Sequence, residues 1–298
     1  MITFSHLGRY GRLGNQLFQY AALKSLALKK GYEVKIPDFS QSQWHGQQCL
    51  LKNFNIDCEV LNPDDSEKIT FSYNEPNVNQ FDRNFFDIDD GADLLGFFQF
   101  TDYFKEFEKN IRKEFTPKDF FLEKANEVLS PLREGSHEVV SIHIRRGDMM
   151  THMYGDTGVS PYEVFGKYDI LDEDTIFGKY LNNAMKFFEG KKVKYLIFTG
   201  GKRDGNDTSD IEYVKEVCEY DNFYFSETND PMIDFATIMS CDHNITCHQS
   251  TFGWWAAFLN PNEDKIVTSP ENYFFLYNEE ENKKRTSSGH FPEDWKII

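Results

Sequence analysis

The amino-acid sequence predicts an α/β protein with two domains, each built on a parallel sheet. The chain has 298 residues, more than the roughly 100 to 200 residues of a typical domain. Residues 2–36 read as a strand, a glycine-containing loop, a helix and a second strand. Beyond Gly135, apolar strand-like runs alternate with helical segments, which is typical of parallel sheets covered by helices on both faces.

The first half of the chain has one clear βαβ unit and a long segment of weak periodicity. We expect strands at 2–6 and 32–36 and helices at 15–30, 104–115 and 120–132. Residues 38–95 are polar and aromatic, and they are expected to form irregular connections with short elements.

The second half predicts five strands and four helices. The strands are expected at 139–144, 193–198, 223–225, 244–247 and 265–267, and the helices at 180–188, 211–219, 231–240 and 251–259. Because Gly135-Ser136-His137 separates the two series, we place the N-terminal α/β domain at 1–135 and the C-terminal domain at 136–298.

Composition and charge exclude several classes of partner. Hydrophobic residues make up 40% of the chain, including 29 Phe and 15 Tyr, which supplies a full core without disulfides or metal. The net charge of −17 repels nucleic acid and anionic lipid. A phosphate site would therefore be local, made of a few basic side chains and oriented backbone amides.

The cysteines and the N-terminus indicate a cytoplasmic protein. The five cysteines are odd in number and contain no Cys-x-x-Cys pair, so they suggest neither a disulfide framework nor a zinc finger. The first residues lack a signal-peptide pattern, and no stretch reaches the ~18 apolar residues of a transmembrane segment.

The first motif that could bind a ligand is the glycine loop at residues 11–16. Glycine lets the backbone approach an anion closely, and the following helix start offers amides and a positive dipole end, near Gly14 and Asn15. The loop is neither a dinucleotide fingerprint nor a Walker loop. A tight turn that merely needs glycine is the alternative.

The second motif is His143-Ile144-Arg145-Arg146-Gly147-Asp148, at the carboxyl end of a predicted strand. Ligands bind at that edge of open α/β sheets, and guanidinium groups match phosphate oxygens. The alternative is a surface ion pair between one arginine and the abundant acids.

The third motif lies between Asp242 and Asn260, where a strand leads through Gln249-Ser250-Thr251 into an apolar helix. The hydroxyls of Ser250 and Thr251 stand at the helix start, where a ligand could also meet backbone amides. Trp254 and Trp255 are interpreted as core residues.

The sequence contains only weak candidates for a metal site. The triplets Asp87-Ile88-Asp89 and Asp172-Glu173-Asp174 arise easily by chance among 49 acidic residues. Cys247-His248 with Cys241 or His243 is better explained by buried strand residues. We therefore expect no metal site.

Together the three motifs resemble the inverting α-1,2-fucosyltransferases of glycosyltransferase family 11, in their soluble microbial form. The resemblance rests on Gly-x-x-Gly-Asn-Gln-Leu-Phe-Gln-Tyr-Ala at 11–21, His-x-Arg-Arg-Gly-Asp at 143–148 and Ser-Thr-Phe-Gly-Trp-Trp-Ala-Ala-Phe-Leu-Asn at 250–260. It leaves residues 38–95 and 149–178 uncovered, and these are the loops that would choose the acceptor.

This resemblance implies a GT-B-like fold of two Rossmann-like domains, with the acceptor side in the N-terminal domain and donor binding in the C-terminal domain. It implies GDP-fucose as donor, no required cofactor or metal, and an oligosaccharide or glycan acceptor, linked α-1,2 to galactose. Carried over by motif, Arg145 would hold the diphosphate and Asp234 would accept hydrogen bonds from guanine. The other implied donor-binding residues are Gly14, Asn15, His143, Arg146, Ser250 and Thr251.

Two departures from the family pattern stand out. Thr199-Gly200-Gly201 replaces the usual Ser-Asp-Asp, so the carboxylates there are missing unless Asp204 or Asp207 substitutes. The third motif begins with Ser250-Thr251-Phe252-Gly253 where the family usually has Ser-Ser-Phe-Ser. Thr251 keeps a hydroxyl, whereas Gly253 does not.

The expected mechanism is attack by an acceptor oxygen on the anomeric carbon as GDP leaves, with Arg145 stabilising the leaving charge. Asp148 is the first candidate for the base, with His152 and Asp156 as alternatives, and it could instead orient an arginine. Two rival functions remain open. One is a metal-dependent transferase that uses Asp172 and Asp174, and the other is a nucleotide-sugar or glycan binding protein without catalysis.

Overall fold

A computed structural model describes residues 1–40, 42–44, 47–147, 149, 158–200, 209–273 and 279–298. These residues form two compact units, Met1–Lys118 with Lys283–Pro292 and Asp119–Asn282 with Glu293–Ile298. The division falls at Lys118 and Asp119, whereas the sequence suggested a boundary after residue 135. The C-terminal segment Lys283–Pro292 also returns to the first unit, which the sequence did not indicate.

The first unit contains a parallel sheet of five strands in the order β5-β2-β1-β7-β6. Its strands, together with the short antiparallel pair of β3 and β4, are β1 Ile2–Thr3, β2 Val34–Ile36, β3 Gln43–Trp44, β4 Gln47–Gln48, β5 Glu59–Val60, β6 Phe71–Asn74 and β7 Ala92–Leu95. The segment 38–95 therefore supplies three strands of the sheet, where the sequence predicted irregular connections with short elements.

The helix α1, Leu13–Lys30, packs against this sheet and is buried along most of its length. It begins two residues before the predicted start and ends at Gly31, whose left-handed φ of 71° closes the helix with a hydrogen bond to Ala27. Lys29 and Lys30 lie in the last turn, where cations favour the helix dipole. The unit also contains α2, Glu108–Glu114.

The second unit contains a parallel sheet of six strands in the order β10-β9-β8-β11-β12-β13. Its strands are β8 Glu138–Ile144, β9 Val193–Thr199, β10 Phe223–Phe225, β11 His243–Ile245, β12 Val267–Ser269 and β13 Lys296–Ile297. Its helices are α3 Asp119–Leu129, α4 Pro161–Phe165, α5 Ile176–Met185, α6 Ser209–Val217, α7 Pro231–Ser240 and α8 Thr251–Leu259. A further helix, α9 Glu279–Arg285, is shared between the two units, and a π-helical turn, Thr286–His290, follows it.

The strand β8 lies inside the second sheet, and six of its seven residues are buried. Burial on both faces explains its near-continuous apolar sequence. The helix α3 belongs to this unit because it packs against α7. The segment that follows α3 is anchored by an ion pair of Arg133. Arg133 Nη2 lies 3.0 Å from Asp242 Oδ1, while Asp242 Oδ2 accepts a hydrogen bond from the Val139 amide at 2.7 Å.

Among the described residues, no helix combines the length and the apolar character needed to cross a membrane. The two parallel sheets with their covering helices confirm the predicted α/β class.

Candidate functional site

The second and third motifs meet at one edge of the second sheet. His143 and Arg145 lie at the carboxyl end of β8, and Cys247 and Ser250 follow the neighbouring strand β11. The chain runs outward from β8 through β9 to β10 and then crosses to β11 on the other side. This reversal of strand order is a topological switch point, where ligands bind in open α/β sheets.

The imidazole of His143 is buried against the start of α8. A Cβ at Gly253 would lie 2.4 Å from His143 Nδ1, so only glycine leaves room for the ring in this position. Nδ1 is buried and has no hydrogen-bond partner among the described residues. Burial, with a smaller effect from the charge of Arg145, lowers the pKa of His143 from 6.5 to about 3. His143 is therefore neutral at physiological pH.

The backbone at Arg145 is anchored to the segment after β11. Its amide donates a hydrogen bond to the Sγ of Cys247 at 3.2 Å, and this cysteine is fully buried. Burial raises the pKa of the Cys247 thiol to about 12, so the sulfur is an uncharged acceptor. The side chain of Arg145 is only partly buried, in contrast to its neighbour.

Arg146 points into the protein and not toward solvent. Its Nε lies 3.0 Å from Asp210 Oδ1, and its guanidinium carbon lies 3.7 Å from the ring centre of Tyr213. Nη1 is buried without a hydrogen-bond partner among the described residues. The sequence analysis left open that one of the two arginines forms a surface ion pair. The structure has an ion pair at Arg146, and it is buried.

Asp210 also holds the turn after Arg146. Its Oδ2 accepts a hydrogen bond from the Gly147 amide at 2.8 Å, so one carboxylate binds two consecutive residues of the motif. Gly147 has a φ of 62°, a left-handed conformation that favours glycine. Sequence reasoning missed Asp210, and no local signal distinguished it from the other acidic residues.

Gly200 explains one departure from the family pattern. A Cβ at this position would lie 2.8 Å from the Arg146 carbonyl carbon and 2.9 Å from the Gly147 nitrogen. Both are backbone atoms, so the turn after β9 can approach the motif this closely only without a side chain. Gly201, Asp204 and Asp207 lie outside the described residues.

Several buried polar atoms at these strand ends lack partners within the described part of the chain. They are Thr199 Oγ1 at the end of β9, and Gln249 Oε1 and Ser250 Oγ before α8. Gln249 has a φ of 49°, which is uncommon for a residue other than glycine and is often found at functional sites. Native structures satisfy most buried polar atoms, so this cluster is suited to a ligand. Thr251 is the first residue of α8.

Asp234 lies in the first turn of α7, with one carboxylate oxygen occupied. Its Oδ1 accepts hydrogen bonds from the hydroxyls of Ser226 and Thr228, each at 2.6 Å. Its Oδ2 has no hydrogen-bond partner among the described residues. Burial raises the pKa of Asp234, while the two hydroxyls partly offset that effect.

The glycine loop belongs to the first unit. Gly11 has a φ of 87°, and its carbonyl accepts a hydrogen bond from Gln16 Nε2 at 2.8 Å. Arg12 stands at the N-cap of α1 without a side-chain cap, and the first turn has no acidic residue, which leaves a favourable end for an anion. Gly14 is buried within that first turn and does not extend the loop.

Asn15 is part of a hydrogen-bond network that sequence reasoning missed. Its Oδ1 accepts a hydrogen bond from Gln99 Nε2 at 2.9 Å, and Gln99 Oε1 accepts one from Arg285 Nη2 at 3.0 Å. Arg285 is buried and comes from the C-terminal segment of the first unit. The network orients the Asn15 side chain.

The acidic triplets show no metal-binding arrangement. Asp172 Oδ1 accepts a hydrogen bond from the Asp174 amide at 3.0 Å, which is the geometry of a local turn. Within the described ranges, no group of three or more His, Cys, Asp or Glu residues could hold a metal ion. Asp148, His152 and Asp156, the candidates for the base, lie outside the described residues.

Comparison with known proteins identifies the family. The model of Glycosyl transferase family 11 matches residues 5–296, so the chain belongs to this family. This confirms the resemblance that the three motifs indicated.

Among curated relatives, galactoside alpha-(1,2)-fucosyltransferase 1 of Rattus norvegicus is 28% identical over 257 residues. That match covers 84% of this chain and 61% of the rat protein, so the chain spans less than two thirds of this relative's length.

Solved structures show the same fold. The NodZ alpha-1,6-fucosyltransferase co-crystallized with GDP has a TM-score of 0.52 and 14% identity, with 90% of this chain and 94% of that chain covered. The fucosyltransferase NodZ from Bradyrhizobium has a TM-score of 0.53 and 14% identity, with 87% and 93% covered. The fold is accordingly GT-B-like, as the resemblance implied.

Proposed function

We propose that the protein is an inverting glycosyltransferase that moves fucose from GDP-fucose to a galactoside hydroxyl, in an α-1,2 linkage. The observation that carries this proposal is the meeting of the His143 and Ser250 motifs at the switch point between β8 and β11. Family membership supports the reaction class, and the rat relative is named for the α-1,2 linkage.

In the proposed reaction the acceptor oxygen bonds to the anomeric carbon of fucose while the bond from that carbon to the diphosphate oxygen breaks. The electron pair and negative charge go to the departing GDP, and the acceptor hydroxyl loses its proton to a base, for which Asp148 is our candidate. Arg145 stabilises the diphosphate with two planar N–H donors. The amides at the start of α8 and the hydroxyls of Ser250 and Thr251 complete this donor site.

The other side chains have distinct proposed roles. Asp234 accepts hydrogen bonds from the guanine N1–H and amino group through Oδ2, because Ser226 and Thr228 already hold Oδ1. His143, whose imidazole is neutral, packs against the bound nucleotide. Arg146 acts through Asp210 to hold the turn, and it supports the neighbouring Arg145.

The remaining proposals concern the first unit and the setting of the reaction. Gly14 and Asn15 are also proposed to bind the donor. Arg145 and the amides supply the positive field, so no metal is required. All five cysteines are free thiols, which supports a reducing compartment, the cytoplasm.

The experiment that tests the donor site measures the melting temperature with GDP, ADP or UDP in the presence of EDTA. GDP is expected to stabilise the fold by about 2.7 kcal/mol at a hundredfold excess over Kd, and ADP and UDP by less. Asp234→Asn should remove the preference for GDP over ADP, whereas Asp221→Asn, at an exposed position, should keep it.

Equal shifts for GDP and ADP would show that the base site is wrongly placed. Stabilisation by GDP only with magnesium would favour the metal-dependent alternative. Release of fucose from GDP-fucose by the purified protein would exclude a binding protein without catalysis.

A further inference from the structure

Gln249 lies at the carboxyl edge of the second sheet, directly before Ser250, and no step of the proposed reaction uses it. Its side-chain oxygen Oε1 is buried and has no hydrogen-bond partner among the described residues, although the residue itself is partly exposed. Ser250 Oγ is also buried without a partner in that part of the chain. Since native structures satisfy most buried polar atoms, these two consecutive residues indicate a ligand at this point of the edge.

The backbone holds Gln249 in an unfavourable conformation. Its φ of 49° lies in the left-handed region, which costs energy in residues other than glycine and persists where the surrounding contacts determine it. The Gln249 amide donates a hydrogen bond to the Tyr273 carbonyl at 3.1 Å. Nε2 of the preceding His248 lies 3.0 Å from Asn272 Oδ1. Because Asn272 and Tyr273 follow β12, the segments after β11 and β12 are joined at the carboxyl edge and fix the position of Gln249.

The chemistry of Oε1 limits what it can bind. A side-chain amide oxygen accepts hydrogen bonds and does not donate them, and the oxygens of an ionised diphosphate also only accept. Oε1 of Gln249 is therefore unsuited to the diphosphate, in contrast to the hydroxyl of Ser250 and the guanidinium of Arg145. It fits a hydroxyl or an N–H group of the ligand.

The order of the strands indicates which part of the donor lies at Gln249. Along the carboxyl edge the order is β10, β9, β8, β11 and β12. Asp234, the proposed guanine partner, is hydrogen-bonded to Ser226 and Thr228, which follow β10. Arg145, the proposed diphosphate partner, follows β8. A donor that extends along this edge places its base and ribose on the β10 side of Arg145 and its sugar on the β11 side, where Gln249 lies.

We propose that Gln249 Oε1 accepts a hydrogen bond from a hydroxyl group of the donor sugar, and that Gln249 thereby contributes to the choice of GDP-sugar. The inference rests on the proposed GDP-fucose site. Ser250 and Gln249 then bind adjacent parts of the donor, the hydroxyl of Ser250 the diphosphate and the amide of Gln249 the sugar. The fixed backbone reduces the conformational entropy lost when the donor binds.

The test measures the Kd of GDP and of GDP-fucose by calorimetry, without acceptor, for the wild-type protein, Gln249→Met and Gln249→Gly. Methionine keeps the length of the side chain without the amide, whereas glycine removes the side chain and adopts a positive φ without strain. Both variants should bind GDP within about twofold of the wild-type protein and GDP-fucose about five- to fiftyfold more weakly. The Tm of Gln249→Gly should remain close to that of the wild-type protein, which separates sugar binding from a structural role. The matched control, Gln80→Met at an exposed position, should change neither Kd.

GDP-fucose analogues that each lack one sugar hydroxyl locate the contact. One analogue should bind the wild-type protein more weakly than GDP-fucose and lose no further affinity in Gln249→Met, because the analogue and the variant remove the same hydrogen bond. Additive losses for every analogue would contradict the inference.

The ratio of the two Kd values separates this inference from the proposed function. A ratio that both variants leave unchanged would overturn the role of Gln249 while the GDP site stands. Equal losses for GDP and GDP-fucose would also overturn it, because Gln249 would then serve the nucleotide or the fold. If the wild-type protein binds neither ligand, the proposed function fails and this inference fails with it.

Discussion

Arg146 and Asp210 form a buried ion pair, with Nε of the arginine 3.0 Å from Oδ1 of the aspartate and the two side chains only 8% and 5% exposed. The second oxygen of Asp210 accepts a hydrogen bond from Gly147. A residue on α6 therefore fixes the turn that follows Arg145. The precision of the proposed donor site should depend on this pair, because a phosphate contact needs a fixed backbone.

Asp210→Ala is expected to lower the free energy of unfolding by about 3 to 5 kcal/mol, because it leaves Arg146 charged and uncompensated in the interior. Urea denaturation of the purified variant measures the change. Glu127→Ala is the control, because it breaks the exposed pair with Lys124 and should cost less than about 1 kcal/mol.

Combining Arg146→Met with Asp210→Leu should recover most of that stability, since apolar residues of similar volume commonly replace a buried pair at little cost. The Gly147 amide still loses its acceptor, so GDP binding should remain weaker than in the wild-type protein. A double variant as unstable as Asp210→Ala would contradict this account of the pair.

Gly253→Ala should destabilise the protein, although alanine in a helix interior usually adds roughly 1 kcal/mol of stability over glycine. The new Cβ would lie 2.4 Å from His143 Nδ1, and overpacking of this kind costs about 1 to 3 kcal/mol. In a His143→Ala background the same change should be neutral or stabilising, because the clashing ring is gone. Additive effects across this double-mutant cycle would refute the contact.

The stability of the protein should fall as the pH is lowered from about 7 toward 4. Burial lowers the pKa values of His143, His248 and His290 from 6.5 to about 3, 4 and 3. Below pH 6.5 the unfolded chain therefore binds more protons than the folded one, so acid favours unfolding throughout that window. Burial raises the pKa of Asp234 above 3.8. The folded chain therefore binds this proton more readily than the unfolded chain, so as the pH falls toward 3.8 Asp234 partly offsets the destabilising effect of the histidines.

Melting temperatures at pH 7 and pH 5 measure this dependence. His248→Gln should reduce the difference between them, while His6→Gln, at an exposed position, should leave it unchanged. An equal pH dependence in His248→Gln and the wild-type protein would contradict a neutral buried His248.

The second sheet was more predictable than the first. Its strands β8 and β9 are buried on both faces and read as long apolar runs, so their positions follow from the sequence. The strand β6, Phe71–Asn74, lies at the edge of the first sheet with mostly exposed side chains. Its short polar sequence resembles a loop, and only pairing with β7 makes it a strand.

The candidate site was predictable in its motifs but not in its supporting contacts. The sequence placed the motifs of Arg145 and Ser250 at strand ends, where the structure has them. Asp210 and Arg146 are 64 residues apart in the sequence. Because the chain has 49 acidic residues, no sequence pattern distinguishes Asp210 as the partner of Arg146. Likewise, Arg285 reaches Gln99 across 186 residues, a pairing that no local pattern encodes.

The rate of fucose transfer from labelled GDP-fucose to lactose in EDTA, for the wild-type protein and Arg145→Lys, tests the central claim most directly. Lysine keeps the charge but loses the planar pair of donors that matches the leaving diphosphate, and this contact strengthens as charge develops in the transition state. The wild-type protein should transfer fucose without metal, and Arg145→Lys should lose on the order of 100-fold or more in kcat while its Tm is unchanged. Near-normal turnover of Arg145→Lys, or wild-type activity that requires added magnesium, would contradict the account.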